Sequence, residues 1–130
     1  MGYTHYWNTK RSFTPSEWQN ITHRVNKYLS GVSHLVAGPD GSGSPMVDLE
    51  SIDFNGVGED SHESFNLTRV RRGYASWMDK RRYDLEGEFN FCKTARKPYD
   101  KAVVEVLKII RDVAPSAVSI ASDGGMEVFQ

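Results

Sequence analysis

Apolar positions recur along this chain with two periods, and the switches between them outline its elements. Trp18, Ile21, Val25 and Leu29 fall at helical spacing. Ahead of them, Thr14-Pro15-Ser16-Glu17 reads as a capping box with Pro15 at the first helical position, and Gly31 follows as a stop. These signals predict an amphipathic helix over Pro15–Ser30. A wider stripe of Val103, Val106, Leu107, Ile110 and Val113, set between Lys101, Glu105, Lys108 and Arg111, predicts a second helix between Pro98 and Pro115. Alternation or β-branched and aromatic content predicts strands at residues 2–8, 34–37, 46–54, 64–68, 88–92 and 117–121. The alternation changes phase between Leu49 and Ile52, which predicts a bulge.

Residues 38–45 and 55–61 are polar, glycine-rich connections, and residues 69–84 have no clean period. The element order is strand, helix, strand, strand, then strand, strand, helix, strand. Thr9-Lys10-Arg11 precedes the first helix as Thr94-Ala95-Arg96 precedes the second, and Pro15 stands as far ahead of Asp40-Gly41 as Pro98 stands ahead of Asp123-Gly124. The pattern predicts an α+β domain with two helices packed on one face of an antiparallel or mixed sheet. Either a pseudo-twofold repeat or coincidence accounts for the short matches.

Composition narrows the function classes. With 130 residues and 38% hydrophobic content, the chain has apolar material for one core, so a single globular domain over residues 1–130 is expected. Sixteen basic residues against 17 acidic ones leave a net charge of −1 and no overall field that would drive the chain onto nucleic acid or an anionic membrane. A lone cysteine, Cys92, rules out an intramolecular disulfide and a thiolate zinc site. The opening residues lack the apolar run of a signal peptide, and no stretch is apolar enough to span a bilayer, so no membrane association is expected.

Candidate chemistry concentrates in two predicted strand-to-helix junctions. Gly2-Tyr3-Thr4-His5-Tyr6-Trp7-Asn8 is dense in rings with polar tips that can stack on a base and donate hydrogen bonds. In a strand, Tyr3, His5 and Trp7 share one face and Thr4, Tyr6 and Asn8 the other, so one set is core. At the second junction, Lys93, Thr94, Arg96, Lys97 and Tyr99 surround a helix start, where cations, a hydroxyl and free amides can hold a phosphate. A solvated basic loop is the competing explanation. His62 can act as general base, phosphate donor or plain loop residue. The residues expected to bind ligand are His5, Tyr6, Trp7, Arg11, His62, Lys93, Thr94, Arg96, Lys97 and Tyr99. The four histidines match no compact metal spacing, and neither a Gly-x-Ser-x-Gly elbow nor a Walker loop occurs, so no metal, cofactor or catalytic nucleophile is assigned. Cys92 beside Lys93 reads as an inert strand thiol. Residues 69–84 interleave cations with Tyr74 and Trp77, suiting a nucleic-acid patch or a mobile flap.

The N-terminal Gly-Tyr-Thr-His-Tyr-Trp, the His-Glu-Ser-Phe at His62 to Phe65, and the Phe-Cys-Lys-Thr-Ala-Arg-Lys-Pro-Tyr-Asp at Phe91 to Asp100 together resemble an uncharacterised family of small proteins encoded by tailed bacteriophages and prophages. Ser122-Asp123-Gly124 is similar to that family's C-terminal pattern. The resemblance implies a phage setting and brings no active-site assignment. Small phage proteins include sponges that sequester nucleotide signals made by host immune systems. The expectation is therefore a host-cytoplasmic protein that binds a phosphate-bearing nucleotide or an ADP-ribose-like signal. The alternatives are an enzyme that cleaves such a signal, with His62 or His5 as acid or base, and an adaptor for nucleic acid or a host protein. Nucleic acid ranks below the small molecule as partner, and a homo-oligomer stays open.

Overall fold

Residues 2–130, described by a computed structural model, run β1 (Thr4–Thr9), α1 (Pro15–Ser30), β2 (Met46–Val47), β3 (Ser51–Phe54), β4 (Phe65–Thr68), α2 (Lys80–Glu86), β5 (Glu88–Lys93), α3 (Asp100–Val113) and β6 (Val118–Ser122). The strands form two antiparallel sheets, ordered β5-β1-β6 and β2-β3-β4. β1 is the middle strand of the first: Tyr6 pairs with Phe91 on one side and with Ala121 on the other. α3 carries the chain from β5 to β6 across β1, so the N-terminal strand is clasped between two strands whose partners of Tyr6, Phe91 and Ala121, lie 85 and 115 residues later.

α1 forms where the capping box predicts it. The Thr14 hydroxyl accepts from the Glu17 amide at 3.1 Å, and the Glu17 carboxylate accepts from the Thr14 amide at 2.9 Å. Its apolar stripe of Trp18, Ile21, Val25 and Leu29 is buried, each side chain contributing roughly 1.5–3 kcal/mol by its removal from water. α3 buries Val103, Val106, Leu107 and Ile110 beside it. One apolar cluster takes in both helices, Trp7 and Cys92 of the first sheet, and Ile52, Phe54, Phe65 and Leu67 of the second. Trp7 and Phe65 join the sheets directly, with ring centroids 4.9 Å apart.

The class is α+β, but it has three helices and two small sheets where two helices on one sheet were expected. The bulge near Leu49 is instead a turn: the Asp48 carboxylate accepts from the Glu50 and Ser51 amides at 2.8 and 2.9 Å and splits residues 46–54 into β2 and β3. Residues 34–37 contribute a single bridge, Ala37 to Asn55. That segment follows α1 as β6 follows α3, yet it does not join the first sheet, so the predicted equivalence of the two halves does not extend to their strand pairing. α2, unforeseen in the sequence, is a short charged helix capped by Asp79 and laced by Lys80–Asp84 and Arg82–Glu86 pairs.

Candidate functional site

Strand alternation divides the N-terminal aromatic segment. His5, Trp7 and Thr9 point inward and are buried. The His5 imidazole is fully buried, with Nε2 2.7 Å from Asp100 Oδ1 and Nδ1 2.9 Å from Ser122 Oγ. A carboxylate can only accept, so Nε2 carries a proton, and in the neutral ring Nδ1 is then left to accept from the Ser122 hydroxyl, whose oxygen in turn accepts from the Gly124 amide at 3.0 Å. The Thr94 hydroxyl donates to the same Asp100 oxygen. Burial pushes the Asp100 carboxyl up. The hydrogen bonds from His5 and Thr94, with nearby positive charge including that of Arg96, outweigh it and leave the group below its ordinary value.

This chain of contacts holds His5 and Thr94, and the core beside it holds Tyr99 and Trp7, so four of the expected ligand residues are in structural positions. His5 has both ring nitrogens occupied inside the protein, and Thr94 is buried, bound to Asp100. Tyr99 is buried, its hydroxyl donating to the Glu63 carbonyl at 2.6 Å. Trp7 is a core residue packed on Phe65. None of the four presents an open surface to a ligand: the polar groups of His5, Thr94 and Tyr99 are hydrogen-bonded inside the protein, and Trp7 fills the core with its indole Nε1 left unpaired. Arg11 is held bidentately by Glu17 at 2.9 and 3.0 Å, close to α1.

At the start of α3, where the anion site was expected, no side chain caps the helix among the described residues, and the nearest carboxylate belongs to the chain itself. Asp100 occupies the first turn, and Thr94 turns toward it. Between them, Ala95 and Arg96 both adopt left-handed backbone, with φ of 52° and 59°, a conformation that costs roughly 1–2 kcal/mol per non-glycine residue. The bond from Lys97 amide to Thr94 carbonyl (3.0 Å) closes that turn, and the Thr94 amide donates to the Tyr3 carbonyl at 2.9 Å. The turn sets the Arg96 guanidinium 3.9 Å from the centroid of the Tyr3 ring. Lys97 Nζ reaches the Glu59 carbonyl at 3.5 Å. His62 is exposed; its backbone is bound to Asn55, and no hydrogen bond joins its side chain to His5 or Arg96 among the described residues.

The opposite face of the first sheet gathers what remains. Tyr6 and Asn8 of β1 and Phe89, Phe91 and Lys93 of β5 alternate with the buried set and point away from the core. Tyr6 stacks on Phe89 with centroids 5.9 Å apart and a 27° interplanar angle, and Phe89 lies 6.0 Å from Phe91. Lys93 Nζ lies 5.7 Å from the Phe91 centroid. Phe89 and Phe91 are 46% and 45% exposed, although burying either ring would be favourable. Beside the rings, β6 offers only Ser119 and Ala121, paired with Asn8 and Tyr6, so nothing bulky covers them from that side. The Tyr6 hydroxyl donates to Asp123 at 2.7 Å; that bond raises its pKa, with burial and the charge of Asp123 adding to it. Sequence reasoning found Tyr6 and Lys93 but passed over Phe89 and Phe91, whose alternation with the buried Cys92 was the available signal.

The basic segment 69–84 is anchored where it meets this sheet. Arg71 donates to the Lys10 carbonyl at 2.7 Å, and the Arg72 amide donates to buried Glu88 at 2.6 Å. Further along, Trp77, Met78 and Arg82 border Phe89 around a groove of about 360 Å³. A groove of about 720 Å³ beside α1, lined by Trp18, Thr22, Leu49 and Val70 among others, carries none of the predicted site residues. Among the described residues no group of three or more His, Cys, Asp or Glu side chains is placed to hold a metal, and no helix is long and apolar enough to cross a membrane. No family model, curated protein or solved structure matches the chain.

Proposed function

We propose that this protein binds a phosphate-bearing nucleotide ligand without cleaving it, through the open aromatic face of the β5-β1-β6 sheet. The observation that carries the reading is the cluster of Tyr6, Phe89 and Phe91, half-exposed rings of which Phe89 touches both others, with a cation beside Phe91. Bases stack on such rings, and Lys93 offers positive charge for phosphate. The family resemblance supplies a setting in which binding alone suffices: a phage protein in the host cytoplasm that sequesters a nucleotide or ADP-ribose-like immune signal. Calorimetry against mononucleotides, cyclic nucleotides, ADP-ribose derivatives and short oligonucleotides tests the reading. Binding that is lost in Phe91→Ala supports it, and silence across the panel defeats it.

A second, enzymatic reading is favoured by one observation, the Ser122–His5–Asp100 chain. A hydroxyl whose proton is directed at an imidazole backed by a carboxylate has the connectivity of an activated nucleophile. His5 itself is buried, so any substrate would meet Ser122. Recovering the ligand after denaturing the protein separates the readings: a binder returns it intact, whereas an enzyme returns product and Ser122→Ala abolishes that product.

A further inference from the structure

The geometry points to a single strand of nucleic acid, several nucleotides long, as the occupant of the aromatic face. The inference rests on the nucleotide-binding reading and specifies the polymer. Small ligands bind in concave sites that bury most of their surface. Phe89 and Phe91 instead form a row along β5, with Tyr6 of the neighbouring strand paired to Phe91 and stacked on Phe89, on an open sheet where a mononucleotide would leave much of itself in water. A polymer needs no enclosure, because it adds up modest contacts from successive nucleotides.

Three further features agree. The rings are 5.9 and 6.0 Å apart, wider than the ~3.4 Å rise of a stacked strand, so they suit splayed bases taken one per ring and not a duplex, whose bases are already stacked on each other. The row does not stop at Phe89 but passes into the groove bordered by Trp77 and Arg82, and Trp77 is 75% exposed. Of all the aromatic residues in the described chain, those classed as exposed are Tyr74, Trp77, Phe89 and Phe91, in one stretch of sequence on this side of the molecule.

Charge is complementary despite the net charge of −1 of the whole chain. Residues 69–84 hold six cations against two carboxylates, and Lys93 stands at the far end of the ring row. Cations at both ends of a stacking platform can follow a phosphate backbone across it. The nearby carboxylates are engaged: Asp123 accepts from the Thr4 amide and the Tyr6 hydroxyl, Glu88 from the Arg72 amide, and Glu86 pairs with Arg82. Arg82 therefore reaches phosphate only by leaving Glu86, an exposed pair that holds it weakly.

Fluorescence anisotropy with labelled oligo(dT) and oligo(U) of increasing length tests the inference, with thymidine and uridine monophosphates as competitors. Affinity is expected to rise with length, to fall steeply with added salt, and to drop roughly 5- to 150-fold in Phe89→Ala and in Phe91→Ala. Both rings are half-exposed, so circular dichroism should report unchanged folding. Monophosphates that compete as well as long oligonucleotides would overturn the polymer and leave the nucleotide reading intact. No binding by any of these probes or by the calorimetric panel would remove both. Affinity indifferent to both phenylalanine substitutions would place the strand elsewhere and overturn the inference. Light scattering that finds a wild-type dimer converted to monomer by Phe91→Ala would overturn it too, by assigning the face to a second copy of this chain.

Discussion

His5 and Asp100 stand 95 residues apart in the chain and 2.7 Å apart in space, and their hydrogen bond fastens the N-terminal strand to the first turn of α3. Ser122 adds the other ring nitrogen, so one buried imidazole ties together β1, α3 and β6. Its position explains why an N-terminal histidine, read from sequence as a ligand contact, is withdrawn from the surface.

Removing that imidazole should therefore be costly. His5→Ala leaves a cavity and strips a half-buried carboxylate and hydroxyl of their shared partner, so urea denaturation should report a loss of roughly 2–4 kcal/mol. A loss below about 0.5 kcal/mol would mean that the contact contributes little to folding.

The turn that presents Arg96 stores strain in the left-handed Ala95. Ala95→Gly should stabilise the protein by about 0.5–1 kcal/mol, because glycine adopts positive φ without the Cβ clash. Thermal melts of the two proteins provide the comparison, and a lower melting temperature for the glycine variant would contradict the backbone geometry.

The start of α1 should govern part of the acid response. The Arg11 hydrogen bond, followed by the Thr14 backbone bond, holds Glu17 down at about 2, against an ordinary value of 4.5. A depressed carboxyl contributes stability that is fully present above the unfolded value and is lost as pH falls through the folded one, so the loss should run from about pH 4.5 toward about pH 2. Thr14→Ala should cost about 0.5–2 kcal/mol at neutral pH through the lost cap. Glu17→Gln should flatten the acid-side decline. Chemical denaturation repeated across pH for the three proteins checks both, and an unchanged Glu17→Gln profile would contradict the assignment.

Cys92 should be chemically silent in the folded protein. Burial, then the charge of Glu63, pushes its thiol up to about 12, so the neighbouring Lys93 does not activate it. A thiol reagent should label it only after denaturation; rapid labelling of the native protein would show that β5 opens readily.

Much of this organisation was legible in the sequence, and the misses have physical causes. The capping box and stripe of α1 and the stripe of α3 are local signals that survive packing. α2 escaped because it offers no buried stripe: Leu85 is exposed, and the helix is laced by charge pairs. The turn at Asp48 imitated a bulge because both interrupt alternation. Alternation separated Trp7 from Tyr6, but could not say which face the helices would cover, and the same alternation of Phe91 with Cys92 was not used. The partners of His5 lie 95 and 117 residues away, a distance no local pattern records. The cations of the second junction were visible, but the pairing of Thr94 and His5 with Asp100 depends on the fold.

The central claim is that the exposed rings of the first sheet form a nucleotide-binding face. Chemical-shift mapping of the labelled protein, titrated with nucleotides and short oligonucleotides, tests it most directly. The largest shifts should cluster at Tyr6, Phe89, Phe91 and Lys93, while Trp18 and Leu49 beside the α1 groove stay still. Shifts confined to that groove, or none at saturating ligand, would contradict it.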